Sequence, residues 1–260
     1  MFRITRPLAA AVSVSAAALA IAIPSAAQAV NYTALGDSFS SGVGAGSYDL
    51  DSSCMRTSNA YPAKVAAAKG FTLSFTACSG ATTTDVIANQ LGPLNASTDY
   101  VTVTAGGNDA GFTSLIANCT LLNCVSSVNA KITWASTTLP GLLNNLYSQI
   151  KTKAPNATVI VLGYPRLFSG TTCASAFGIS SSEMTAANNL VDAFDTTMAA
   201  RAGAYGFTFK SAVSQFTGHA LCSSSPWLNG LSPFSISDSY HPNASGQSSG
   251  YTPVVRTVTG

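Results

Sequence analysis

Ser38 lies in Gly36-Asp37-Ser38-Phe39-Ser40, directly before a glycine-rich run from Ser41 to Ser47. A hydroxyl placed there is a candidate nucleophile if a base reaches it, and the glycines let the backbone turn and approach a substrate. The chain has two histidines, His219 and His241. His241 is the better base, because Asp238-Ser239-Tyr240-His241-Pro242-Asn243 carries a carboxylate just upstream that can turn back onto Nδ1 and leave Nε2 for the serine. His219, in Thr217-Gly218-His219-Ala220, has no such neighbour and reads as structural or surface. A serine and a histidine together suit acyl transfer, which develops an oxyanion that needs fixed N–H donors. The candidates are the backbone N–H of Ser38, the backbone N–H of Gly80 and the side-chain amide of Asn108.

Taken singly, each of these residues has a plainer explanation. A serine at a strand end is usually a turn or cap residue, Gly80 fits a turn, and Asn108 beside Asp109 fits an Asx turn. Gly42, Gly44 and Gly46 do not make a dinucleotide fingerprint, because the third glycine comes one residue early and too far from a strand end. The chain has no G-x-S-x-G elbow.

Strands must place these groups. Asn31 to Leu35 reads as a strand running into Gly36-Asp37-Ser38, Phe71 to Ala77 as one ending at Cys78-Ser79-Gly80, and Tyr100 to Ala105 as one ending at Gly106-Gly107-Asn108-Asp109. Ala157 to Leu162 and the short Phe207 to Lys210 complete a set of about five. Helical patterns lie between them: Ala60 to Ala68, Thr84 to Leu91, Thr133 to Lys151, and Ser181 to Ala204. In the last, Ser180 and Glu183 have capping-box spacing, and Met184, Ala187, Val191, Phe194 and Met198 line one face, which reads as core with no chemistry. Strands alternating with helices predict an α/β fold, a three-layer α/β/α sandwich around a central parallel sheet, whose ligands gather beyond the carboxyl ends of the strands.

Residues 1–29 read as a signal peptide: Arg3 and Arg6 form the charged start, Leu8 to Ile23 the apolar stretch, Pro24 a helix breaker, and Ala27-Gln28-Ala29 the cleavage site. The apolar stretch is shorter than the roughly 20 residues that span a bilayer. Residues 30–260 then form a single domain that is secreted, extracellular, free of integral membrane segments and monomeric. Charged residues make up 8% of the chain, and removing Arg3 and Arg6 from 12 Lys+Arg leaves a formal balance with 10 Asp+Glu. Without a basic stripe, nucleic acid is not an expected partner. The six cysteines, Cys54, Cys78, Cys119, Cys124, Cys173 and Cys222, all follow residue 29 and suggest three disulfides, with fifteen pairings open. With no C-x-x-C pair and two histidines, a zinc framework is not expected.

Four blocks taken together, Gly36-Asp37-Ser38, Gly80, Gly106-Gly107-Asn108-Asp109 and Asp238-x-x-His241-Pro242, resemble the GDSL or SGNH hydrolase family in their order along nearly the whole mature chain. Gly36-Asp37-Ser38-Phe39-Ser40-Ser41-Gly42 and the six cysteines are similar to its secreted bacterial lipase and phospholipase branch. The resemblance implies a flavodoxin-like fold and a serine ester hydrolase of lipids or phospholipids. It implies Ser38, His241 and Asp238 as catalytic residues, and Ser38, Gly80 and Asn108 as the oxyanion hole. It also implies nearest-neighbour disulfides (Cys54–Cys78, Cys119–Cys124, Cys173–Cys222) and no metal or organic cofactor. Some members of that branch orient the histidine with a backbone carbonyl in place of a carboxylate. An acetyl-esterase acting on polysaccharide would keep the same catalytic residues, and a non-catalytic exported binding module would be expected to have lost a block.

Overall fold

The computed structural model describes residues 1–4, 29–120 and 122–260, so most of the expected leader lies outside the described residues. Five strands form one sheet: β1 (Asn31–Gly36), β2 (Thr72–Phe75), β3 (Tyr100–Thr104), β4 (Thr158–Leu162) and β5 (Thr208–Lys210). All neighbours pair in parallel, in the order β2-β1-β3-β4-β5. Burial on both faces lets β4 read as a nearly continuous apolar run, while β1 and β3 bury Thr33, Thr102 and Thr104 between their apolar residues, so the alternation in their sequence does not mark a solvated face.

The helices are α1 (Ser38–Ser41), α2 (Tyr61–Lys69), α3 (Thr83–Asn89), α4 (Phe112–Cys119), α5 (Val125–Thr137), α6 (Leu139–Lys153), α7 (Ser181–Ala204) and α8 (Thr252–Thr259), the last entered through a π-helical turn at Gly246–Tyr251. They pack chiefly in two sets, α2 with α8 and its π turn, and α5, α6 and α7 with one another, with α3 against α6. The α/β/α fold class expected from the sequence is therefore the one observed. The chain runs from β1 out to β2 and returns across β1 to β3, which makes β1/β3 the switch point where a parallel sheet opens a crevice.

Local chemistry explains the element ends. Pro62 sits in the first turn of α2, and Gly70 closes that helix in the left-handed conformation. Ser180 and Glu183 make the expected capping box on α7. The single helix expected over Thr133 to Lys151 is instead two, α5 and α6, meeting at Thr138. Pro140 is the reason: it lacks an N–H and is tolerated only in a first turn, so a new helix begins there. The expected apolar face of α7 is core, and Leu190, Val191 and Phe194 also border the cleft described below.

Gly36 shows how tightly β1 and β3 approach at their carboxyl ends. A Cβ there would lie 2.4 Å from the Thr104 carbonyl oxygen, and its φ of +127° belongs to glycine. Three disulfides join Cys54 to Cys78, Cys119 to Cys124 and Cys173 to Cys222. Their presence fits an oxidising compartment. Among the described residues, no helix is long and apolar enough to cross a membrane.

The closed loops differ in length, with sequence separations of 49 for Cys173–Cys222, 24 for Cys54–Cys78 and 5 for Cys119–Cys124. Loop-closure entropy ranks their worth at about 4, 3.5 and 2 kcal/mol. Pairwise replacement by serine should lower the free energy of urea unfolding in that order, and a reversed order would contradict the ranking.

Candidate active site

The first turn after β1 is capped by its own aspartate. Asp37 is the N-cap of α1, and its Oδ1 accepts the Phe39 N–H at 3.0 Å. Ser38 is thereby the first residue of the helix, where a backbone N–H has no intrahelical partner. The other carboxylate oxygen of Asp37 accepts the Tyr164 hydroxyl at 2.6 Å, and that hydroxyl accepts the Gly107 N–H at 3.0 Å. One buried carboxylate therefore ties the segment after β1 to the segment after β3. Burial pushes the Asp37 carboxyl up to about 7, against the lowering effect of the bonds from Tyr164 and the Phe39 N–H.

Two buried glutamines, neither singled out from sequence, fix the same turn. Gln90, the C-cap of α3, accepts the Gly36 N–H at 2.7 Å and donates to the Gly36 carbonyl at 2.9 Å. Gln247 donates to the Phe39 carbonyl at 3.0 Å and accepts the Tyr61 N–H at 2.9 Å. Polar side chains at such depth persist where they satisfy backbone groups that no sheet or helix serves.

His241 arrives from the far end of the chain. Its Nε2 lies 2.7 Å from Ser38 Oγ, and its Nδ1 lies 3.0 Å from the Ser239 carbonyl oxygen. Asn229 holds this segment: its backbone N–H donates to the His241 carbonyl at 2.9 Å, and its side chain donates to the Gly44 carbonyl at 2.9 Å. The approach requires Gly44, since a Cβ there would stand 2.5 Å from Asn229 Nδ2 and 3.1 Å from His241 Cβ. The imidazole packs tilted against Phe39, with ring centroids 5.1 Å apart. Burial pushes its pKa down to about 4, opposed by the Ser239 carbonyl, the Asp238 charge and the Ser237 carbonyl.

Asp238 is close to the imidazole but is not hydrogen-bonded to it. Its two carboxylate oxygens accept the Tyr48 and Ser235 hydroxyls, the latter at 2.6 Å. Asp238 closes a 3₁₀ turn at Ile236–Asp238, and with the left-handed Tyr240, φ +61°, between Ser239 and His241, the Ser239 carbonyl meets the Nδ1 edge of the ring instead. His219 stands apart, stacked on Trp227 with centroids 3.7 Å apart and its Nδ1 2.8 Å from the Ser225 carbonyl.

Asn108 donates from its side-chain amide to the Ala81 carbonyl at 3.0 Å, leaving the second amide hydrogen free for a ligand. That bond joins Asn108 to the exposed turn at Gly80, φ +79°, whose N–H meets no hydrogen-bond partner among the described residues. Asp109 instead serves α3, accepting the Thr83 N–H at 2.9 Å and its hydroxyl at 2.6 Å. Ser38, Asn108 and His241 border one cleft of about 840 Å³ including its mouth, whose remaining walls are largely apolar and include Ile116, Leu167, Leu190, Val191, Leu231 and Ile236. Neither Gly80 nor Ala81 belongs to that lining, and Gly80 is joined to it through the bond from Asn108 to the adjacent Ala81 carbonyl. Among sequence signals, Tyr164 in Gly163-Tyr164-Pro165 at the end of β4 was the one within reach, since it follows the same strand-end rule as the other blocks.

The Asp37 carboxyl gives a stability test. Its folded pKa near 7 exceeds the usual value of about 3.9, so the folded state holds its proton more tightly than the unfolded chain. The associated stability is complete below about pH 4 and is lost as pH rises through 7. Asp37→Asn, neutral throughout, should therefore lose less stability than the native chain across that range in urea unfolding. Taking the difference between the two curves isolates this carboxyl from Asp195, pushed up to about 6 by burial, and from His241. Parallel curves would count against the shift.

The GDSL-like Lipase/Acylhydrolase family matches residues 34–248. Lipase 1 of Streptomyces coelicolor is 49% identical over 254 residues, covering 95% of this chain and 93% of its own. The crystal structure of an extracellular lipase from Streptomyces rimosus superposes with a TM-score of 0.84 at 45% identity, over 88% of this chain and 99% of that one. A phospholipase A1 from Streptomyces albidoflavus gives 0.85 at 46% identity, with the same coverage. On a match that spans the strand-end blocks and the histidine segment, the chain belongs to the GDSL-like lipase/acylhydrolase family of carboxylic ester hydrolases.

Proposed function

We propose that the protein is an exported hydrolase of lipid or phospholipid esters that works through an acyl-enzyme on Ser38. The observation that carries this reading is the 2.7 Å contact between Ser38 Oγ and His241 Nε2 in the wall of an apolar cleft. Export is supported by the leader pattern and the three disulfides, and the lipid substrate by the cleft walls and the named activities of the Streptomyces relatives.

In the proposed mechanism, the Ser239 carbonyl accepts the Nδ1 proton of His241, which fixes the tautomer with Nε2 free as base. Ser38 Oγ attacks the ester carbonyl carbon while Nε2 takes its proton, and the tetrahedral oxyanion is met by the N–H groups of Ser38 and Gly80 and by the Asn108 amide. The intermediate collapses with loss of the alcohol, which receives the proton from Nε2. Water then attacks the acyl-enzyme, giving its proton to Nε2, and the carboxylic acid leaves as Ser38 is restored. A low imidazole pKa keeps Nε2 unprotonated near neutrality. In this reading Asp238 serves as a strut, holding its loop through Tyr48 and Ser235, with its charge acting on the ring from a distance.

Treatment with a fluorophosphonate followed by peptide mapping should place the label on Ser38 alone, and Ser38→Ala should abolish both labelling and turnover, by several orders of magnitude in kcat. Labelling elsewhere, or retention of more than a few per cent of activity, would reject the nucleophile.

A carbonyl orienter and a carboxylate orienter give different pH profiles. Asp238→Asn should keep kcat within about tenfold, where a triad would lose roughly 10⁴. The acid limb of kcat/KM should also move to lower pH, because the charge that raises the imidazole pKa is gone. A loss approaching the triad figure would restore Asp238 as the orienter.

A further inference from the structure

The ten carboxylates and twelve basic residues are unevenly spread: residues 110–130, 167–182 and 211–237 contain no Asp, Glu, Lys or Arg. Among the described residues from 29 onward, the exposed large apolar side chains are Leu50, Leu122, Phe177, Phe234 and Ile236. All but Leu50 fall within those three uncharged runs. Phe234 is fully exposed, and Leu122, Phe177 and Ile236 are 72%, 55% and 61% exposed.

The three runs meet around the cleft. Ile116 borders it from α4, which ends in the Cys119–Cys124 loop that carries Leu122. Leu231 and Ile236 border it from the segment that carries Phe234, and the Leu231 N–H donates to the Ser175 carbonyl at 3.2 Å, in the turn that carries Phe177. Glu183 ties the run 167–182 to the disulfide loop, accepting the Cys124 N–H at 3.0 Å and the Ser180 hydroxyl at 2.7 Å. Two disulfides, Cys119–Cys124 and Cys173–Cys222, staple the same loops. Phe177 is held in the left-handed region, φ +48°, which is unusual for a bulky residue and presents its ring outward. Disulfide-stapled loops that leave large apolar side chains in water, with no charged residue in their own runs, form a contact surface suited to an apolar, uncharged partner.

We propose that Leu122, Phe177, Phe234 and Ile236 form a face that rests on an uncharged or zwitterionic lipid surface, with the cleft mouth at its centre. The inference deepens the lipid-ester reading of the site and depends on it for the identity of the partner. The face is continuous with the cleft, so an acyl chain passes from the lipid phase to Ser38 along apolar walls without crossing water. The three runs contain no basic residue, and the neighbouring Arg166 is already paired with Asp192, which selects a neutral surface over an anionic one.

The test uses the secreted chain carrying Ser38→Ala, which cannot degrade the probe, sedimented with vesicles of pure phosphatidylcholine. It is compared with the same chain carrying Leu122→Ser, Phe177→Asn and Phe234→Ser; asparagine tolerates the left-handed conformation. Burial of three large apolar side chains predicts about a hundredfold weaker partition for the triple variant. Partition of the parent should change less than about twofold between low and high salt. With Ser38 restored, the triple substitution should leave turnover of a water-soluble short-chain ester within about twofold and lower turnover of the vesicle lipid in step with partition.

Equal partition of parent and variant, or no partition of the parent, overturns the proposal, as does equal loss on the soluble ester and the vesicle. Self-association of the parent that the triple substitution abolishes, seen by light scattering, would make the face an interface between copies and likewise overturn it. Failure of the intact protein to hydrolyse any ester would reject the reading of the site, while partition of the Ser38→Ala chain would still report on the face.

Discussion

The hydrogen bond between Ser38 and His241 joins residues 203 positions apart, and neither side chain can hold it alone. Each end must be fixed by backbone, because a displacement near 1 Å would convert the bond into a contact of no use to proton transfer. Much of the buried polar inventory serves this end. Gln90 holds both the N–H and the C=O of Gly36, Gln247 spans Phe39 and α2, Asp37 caps the turn on which Ser38 sits, and Asn229 fastens the histidine segment to the glycine-rich loop. These bonds leave few buried groups unpaired, which is the condition under which a polar network can stand inside an apolar core.

The scarcity of charge and the chemistry of the cleft are two aspects of one composition. A chain with 8% charged residues surrounds its site with low-polarity walls, and the protonation states respond. Burial raises Asp37 and lowers His241, both toward their neutral forms. The same walls that disfavour charge in the resting site make each fixed N–H dipole count for more when an oxyanion develops. Under the proposed mechanism, the apolar lining accounts for three properties together: a base that is neutral near neutrality, an acyl chain that enters readily, and strong donors at the transition state.

Much of the fold was legible in the sequence because parallel strands with both faces covered leave strong local signals. Short runs rich in Val, Ile, Tyr, Phe and Thr that end in small polar residues marked the strands, and a capping box with a regular apolar face marked α7. The break between α5 and α6 was visible in principle at Pro140, whose missing N–H bars it from a helix interior. The short α1 and the π turn before α8 were not, since four residues leave no periodicity to read and the π turn is held by long-range bonds of Gln247 to Phe39 and Tyr61. At the site, Ser38, Asn108 and His241 could be placed because each follows a strand or a recognisable block. Gln90, Asn229 and Gln247 could not, because an amide serving a distant backbone group has the same local sequence as one on the surface. Asp238 illustrates the limit most clearly: its spacing from His241 permits contact, but the 3₁₀ turn and the left-handed Tyr240 turn the peptide so that a carbonyl stands where the carboxylate was expected.

That substitution of carbonyl for carboxylate has a physical consequence under the proposed mechanism. A carbonyl fixes the tautomer as well as a carboxylate does, since either accepts the Nδ1 proton, but it brings a dipole where the other brings a full charge. The imidazolium formed at the transition state is accordingly less stabilised, and more of the work falls to the oxyanion donors. Asp238 restores part of the balance from outside contact distance, where its charge still raises the imidazole pKa while its oxygens are occupied by Tyr48 and Ser235. Placing the carboxylate against the ring would bury a second charge in a cleft built to exclude charge, with a desolvation cost of several kcal/mol. A site lined for acyl chains thus favours an orienter that is polar without being ionic, and the choice of carbonyl follows from the apolar composition of the chain around it.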